Sequence, residues 1–144
     1  MSLYADTSLL VSYYVTDANS AQAQSLIHAA PGPIAFTGLH RLELRNALEL
    51  GVFRRLITAA QSRAAWQDVL RDLRAGRLAA LGVNWVPVLR SAFQMAASHS
   101  ASIGCRSLDT LHVAAAKKLA ASEFFSFDSR QRALAQAVGL TVKP

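Results

Sequence analysis

Short apolar runs alternate with helix-length segments along this whole chain, and that alternation constrains its fold more than any other feature. Residues 3–5, 34–36, 83–88, 124–127 and 140–142 form runs too short for helices and bounded by turn or polar residues, so strands are expected there. Between them lie Ala-, Leu-, Gln- and Arg-rich segments at residues 8–30, 38–51, 59–75, 89–100, 108–121 and 129–138, with the propensity and spacing of helices. Pro31-Gly32-Pro33 stops the first helix before the second strand, and Gly76, Gly82 and Gly139 mark helix ends. Such an order predicts an α/β fold, a parallel sheet covered by helices on both faces that places ligands at the carboxyl ends of its strands. Pro87 makes residues 83–88 the weakest strand, at an edge or in a loop.

With 144 residues, 52% of them hydrophobic, the chain is expected to form one domain over residues 1–144 with a sizeable core. Apolar positions on more than one side of several helices also predict a homodimer. Fifteen Lys and Arg against nine acids give a net charge of +6, which suits a polyanionic partner such as nucleic acid. Cys105 is the sole cysteine, so neither a disulfide framework nor a thiolate metal site is available, and a reducing cytoplasm is the expected setting. The first residues carry no basic segment and meet an acid at Asp6, and no apolar stretch reaches membrane-spanning length, so neither secretion nor a membrane is expected.

Four of the nine acids stand beside apolar segments. Asp6 closes the first strand and opens Thr7-Ser8-Leu9-Leu10; Asp128 closes the fourth and opens Ser129-Arg130-Gln131. Each also fits a helix N-cap, Asp128 with a capping-box Gln131. Asp109 falls in the first turn of an apolar helix on a stripe with Val113 and Ala116, where a half-buried carboxylate needs a partner such as a cation. Glu43 shares a wheel face with Leu39, Leu42, Asn46, Ala47 and Leu50, opposite Arg41 and Arg45, although Leu44 and Leu48 leave apolar residues on the other side too. Four carboxylates gathered at one point would repel one another unless neutralised, and oxygen-only ligation suits Mg²⁺ or Mn²⁺ rather than zinc. A divalent ion so held can activate water and stabilise charge on a phosphate. Arg106 and Arg130, each close in sequence to one of these acids, are the candidate contacts to the phosphates of a nucleic acid. His112, one turn beyond Asp109, is read as a satisfied half-buried histidine, and His28, His40 and His99 share no spacing with it.

In order along the chain, Tyr4-Ala5-Asp6-Thr7-Ser8, Glu43-Leu44-Arg45-Asn46-Ala47-Leu48, Ser107-Leu108-Asp109-Thr110-Leu111-His112-Val113-Ala114 and Phe127-Asp128-Ser129-Arg130-Gln131-Arg132-Ala133-Leu134-Ala135 resemble the four motifs of the PIN-domain nucleases. The similarity is greatest to the VapC-like toxins of toxin–antitoxin pairs and covers essentially the whole chain. His40-Arg41-Leu42 before Glu43 is more polar than that pattern. The resemblance implies a central five-stranded parallel sheet, one acidic pocket, Mg²⁺ or Mn²⁺, cleavage of RNA to 5′-phosphate and 3′-hydroxyl ends, a homodimer and a cognate antitoxin. By the same resemblance Asp6 and Asp109 are the principal metal ligands, Glu43 and Asp128 complete the pocket directly or through water, and Thr7 or Ser8 assist by hydrogen bonding.

Two other acidic α/β families fit poorly. A haloacid-dehalogenase-like phosphatase needs a second Asp where Ser8 stands, and a receiver domain needs a Lys that Lys117, Lys118 and Lys143 do not supply at the right place. The alternative from another class is a PIN-like module that grips RNA or a protein without cutting.

Overall fold

The computed structural model describes residues 2–144, in which five short strands and seven helices alternate. In chain order they are β1 (Tyr4–Ala5), α1 (Thr7–Tyr14), α2 (Ser20–His28), β2 (Ile34–Phe36), α3 (Gly38–Phe53), α4 (Ala59–Arg74), β3 (Leu78–Ala80), α5 (Trp85–Ile103), α6 (Ser107–Lys118), β4 (Phe124–Phe125), α7 (Ser129–Ala137) and β5 (Val142–Lys143). All pairings are parallel, β1 with β4, β4 with β5, and β2 with β3.

The single five-stranded sheet expected from the resemblance is instead a three-stranded sheet, β1-β4-β5, and a two-stranded sheet, β2-β3. One parallel bridge, Leu3 to Ile34, joins them, held by Leu3 N–H to the Pro33 carbonyl at 3.2 Å and Ala35 N–H to the Leu3 carbonyl at 2.7 Å. The pairing goes no further because the Ala5 carbonyl accepts from His40 Nε2 and Thr37 N–H donates to His40 Nδ1.

Pleating sorts the strand side chains onto two faces. Tyr4, Ala35 and Phe124 point into a core with Val88, Met95, Val113 and Leu134 from α5, α6 and α7. Leu3, Ala5, Ile34, Phe36, Leu78 and Phe125 point the other way, against Leu9 and Leu10 of α1, Ile27 of α2, Leu44 of α3 and Val69 of α4. Both faces are therefore covered, as parallel strands require.

Two expected elements differ. Residues 83–88 form no strand: Asn84 Oδ1 accepts from Val86 N–H at 3.3 Å and caps α5, and Pro87 sits in the first turn, where its missing N–H removes no helical bond. The third strand is Leu78–Ala80, whose alanines carry little apolar signal. The long first helix is broken after Tyr14, because Asp17 and Ser20 satisfy the backbone locally: Asp17 N–H donates to Ser20 Oγ at 2.8 Å, and Ser20 Oγ donates to the Val15 carbonyl at 2.9 Å. Among the described residues no helix is long and apolar enough to cross a membrane.

Candidate active site

β1 has β4 on one side and, through the bridge, β2 on the other, so the strand order reverses at β1 and its carboxyl end opens a crevice. Asp6 leaves that end. Its Oδ1 accepts from Leu9 N–H at 3.0 Å, capping α1, while Oδ2 accepts from Ser8 Oγ at 2.7 Å and lies 3.4 Å from Ser126 Oγ. Cap and candidate ligand are thus one side chain. Asp6 is only 4% exposed, and this burial pushes its pKa above the ordinary carboxylate value. Bonds from Ser8 and Leu9 and the nearby His112 oppose the shift, and the negative charge of Asp109 adds to it.

Asp109 projects from the first turn of α6, and Asp128 caps α7 by accepting from Gln131 N–H at 2.9 Å. Both line a pocket of about 290 Å³ with Gly104, Arg106, Ser129 and Arg130. Arg106 Nε donates to Asp109 Oδ2 at 2.9 Å, so one candidate RNA-binding cation is already paired with a candidate ligand. Gln131, fully buried, ties the two walls together: its Oε1 accepts from Ser126 Oγ at 2.8 Å and its Nε2 donates to the Asp109 carbonyl at 3.3 Å. Ser126 thereby links Asp6 to α7.

Glu43 lies apart in its bonding. Its Oε1 accepts from Thr7 Oγ1 at 3.0 Å and forms a very short contact with His112 Nε2. Burial raises the Glu43 pKa, but the hydrogen bond from His112, the attraction of that ring when it is protonated, and the bond from Thr7 outweigh it and hold the carboxyl below its ordinary value. The wheel reading of α3 needs correction: Leu44, Leu48 and His40 are the buried stripe, Leu42 is 69% exposed, and Glu43 stands at the border of the core.

His112 is satisfied, as read from the sequence, but buried rather than half-buried and with partners the sequence did not name, while the role of His40 was missed. His112 is buried, with Nδ1 2.7 Å from the Tyr4 hydroxyl and Nε2 on Glu43. His40 closes a capping box with Thr37, accepting at Nδ1 from Thr37 N–H at 3.1 Å, and its Nε2 donates to the Ala5 carbonyl at 2.8 Å. Burial, then the neighbouring His112, pushes the His40 pKa down to about 3, so the ring is neutral. The only available signal was the polar residue at position 40 in a helix start expected to be apolar.

Among the described residues no three His, Cys, Asp or Glu side chains stand close enough together to form a complete metal cage. The donor set still fits a hard divalent cation. Asp6 is a buried carboxylate under repulsion from Asp109, all the acids offer oxygen alone, and Mg²⁺ in particular keeps several waters and takes only one or two carboxylates. A larger pocket, of about 510 Å³, contains His28 and Arg77 but no acid, and lies at the amino ends of β2 and β3.

No curated protein matches the chain in sequence. Among solved structures, Mycobacterium tuberculosis VapC20, described as a sarcin–ricin loop cleaving toxin, superposes with a TM-score of 0.70 at 18% identity over 99% of each chain. FitAcB from Neisseria gonorrhoeae gives a TM-score of 0.61 at 17% identity, covering 100% of this chain and 97% of its own. At such identities these two establish a common fold. The PIN domain profile, however, matches residues 3–137, nearly the whole chain and all four acidic motifs, and the protein accordingly belongs to the PIN-domain family.

Proposed function

We propose that this protein is a metal-dependent endoribonuclease that hydrolyses RNA to 5′-phosphate and 3′-hydroxyl ends, and that it is the toxin of a cytoplasmic toxin–antitoxin pair. One observation carries the reading: a desolvated Asp6 at the carboxyl end of β1 feels the charge of Asp109, and Asp109 shares a pocket with Asp128, Arg106 and Arg130. Asp6 and Asp109 would hold Mg²⁺ or Mn²⁺, with Asp128 in support; a cation there supplies Lewis acidity and counter-charge to phosphate oxygens. Ser8 orients Asp6, and Thr7 orients Glu43. Glu43, kept ionised by His112 and Thr7, can accept a hydrogen bond or proton from the attacking water. Arg106 and Arg130 would hold RNA phosphates at the pocket rim. Because water attacks, not the ribose 2′-hydroxyl, a 5′-phosphate remains.

The toxin assignment draws support from the fold shared with VapC20 and FitAcB, and an antitoxin partner follows from it. A loop or single strand, with its backbone splayed, is the favoured RNA substrate. A homodimer is supported by Val86, Leu89 and Phe93, spaced i, i+3, i+7 on one exposed face of α5, next to an apolar groove lined by Leu39, Leu42, Trp85 and Leu111.

The test is cleavage of a stem-loop RNA with Mg²⁺ or Mn²⁺. Glu43→Gln and Asp6→Asn should each lose about 100-fold or more of the rate while keeping the fold. Wild-type rates in both variants defeat the nuclease reading, and 2′,3′-cyclic phosphate ends defeat the mechanism. The alternative is a non-cleaving RNA- or protein-binding module. Calorimetric titration with Mn²⁺ separates the two, since that module needs no cation.

A further inference from the structure

We propose that Tyr4 and His112 are a positioning pair that presents Glu43 to the attacking water, a role that rests on the nuclease reading above. Three elements meet in this contact: Tyr4 on β1, His112 on α6 and Glu43 on α3. Neutral imidazole has one N–H, and which nitrogen carries it decides what the ring can do for a carboxylate. Protonated at Nε2, His112 donates to Glu43 Oε1; protonated at Nδ1, it would turn a lone pair on that oxygen and repel it.

Tyr4 makes the choice. Its hydroxyl is buried 2.7 Å from His112 Nδ1. Glu43, as a carboxylate, can only accept from the Nε2 that faces it, so the Tyr4 O–H is left to donate to Nδ1. Nε2 must then carry the imidazole hydrogen and donate to Glu43. Thr7 Oγ1, 3.0 Å from Oε1 and 3.2 Å from Nε2, closes the triangle. Oε1 therefore takes both protein donors, while among the described residues Oε2 accepts none and stays available to water. The ring cannot swing away, since it packs edge-on to Tyr4 with centroids 5.7 Å apart and lies 5.0 Å from the His40 ring. Packing alone would not call for an imidazole here, because an apolar side chain fills such a site without needing partners on both nitrogens.

Imidazole ¹⁵N shifts of the metal-free protein at pH 8 test the first half. His112 should be protonated at Nε2, and Tyr4→Phe should release it into a mixture of tautomers. A wild-type ring protonated at Nδ1, or one unaffected by Tyr4→Phe, overturns the pair. Steady-state cleavage of a stem-loop RNA with Mn²⁺ tests the second half. His112→Leu should lower kcat about 10- to 100-fold at unchanged KM, as loss of an orienting partner does, and His112→Gln, which keeps an N–H donor, should restore most of it. Added to Glu43→Gln, His112→Leu should cost nothing further, because it acts only through Glu43. Equal losses in His112→Leu and His112→Gln, or losses that multiply with Glu43→Gln, reduce His112 to a structural residue. Should His112→Leu fail to fold, His112→Gln with and without Tyr4→Phe gives the same decision. A wild type that cuts no RNA sinks the nuclease reading and this one with it; a wild type that cuts, with His112→Leu unimpaired, sinks this one alone.

Discussion

His40 Nε2 donates to the Ala5 carbonyl at 2.8 Å, so an imidazole from α3 holds the strand end from which Asp6 departs. The bond joins the two halves of the site that carry Glu43 and Asp6, and the same ring must be neutral for its Nδ1 to accept from Thr37 N–H.

Acid should therefore unfold the protein partly through His40. Its folded pKa of about 3 lies below the ordinary 6.5, so as pH falls the unfolded chain takes up the proton first. Stability from the neutral ring is fully present above about pH 6.5 and drains away toward pH 3, by about 4 kcal/mol at most. Melting temperatures across that range should fall less steeply in His40→Gln than in the wild type. Parallel curves would exonerate His40.

Asp6 behaves in the opposite sense. Burial, helped by Asp109, raises its pKa, so its favourable contribution exists below the unfolded value of 3.8 and is lost as pH rises through the folded one. Once ionised in this buried setting, it costs the metal-free protein stability. Asp6→Asn should raise the metal-free melting temperature at pH 7, with a smaller gain near pH 4. Mg²⁺ or Mn²⁺ at ten times its Kd should stabilise the wild type by about 1.4 kcal/mol and leave Asp6→Asn unmoved. A wild type indifferent to millimolar metal would remove the proposed cation.

Arg106 and Arg130 should contribute to RNA affinity chiefly through phosphates. Because Arg106 is held by Asp109, it must be shared or released when RNA enters, and its loss should cost less than that of Arg130. In an Asp128→Asn background, which preserves both arginines, Arg106→Glu with Arg130→Glu should weaken single-stranded RNA binding and reduce the salt slope by about 1.4, two contacts at ~0.7 each. An unchanged slope places the RNA elsewhere.

Dimerisation should depend on the exposed face of α5. Phe93 is 71% exposed, and Phe93→Glu together with Leu89→Glu should turn a dimer into a 15.5 kDa monomer in light scattering without lowering helix content. A wild type already monomeric at micromolar concentration would refute the homodimer.

Much of this protein was determined by sequence alone, for local reasons. Runs of apolar residues broken by Pro31-Gly32-Pro33 set the α/β alternation, and Asp6 and Asp128 cap α1 and α7 because a short acidic side chain at a helix start satisfies free N–H groups wherever the fold puts it. Four motifs in order sufficed to indicate the PIN family. Tertiary structure decided everything that depends on residues distant in the chain meeting. Leu78–Ala80 is a strand because Ile34 and Phe36 lie beside it, not because of its own alanines. Leu44 and Leu48, rather than Leu39 and Leu42, face the core because α1 and α4 pack on that side of α3. Position 112 could not declare its role in sequence, since a histidine acquires its tautomer and its partner only when folding sets Tyr4 against one ring nitrogen and Glu43 against the other, 108 and 69 residues away.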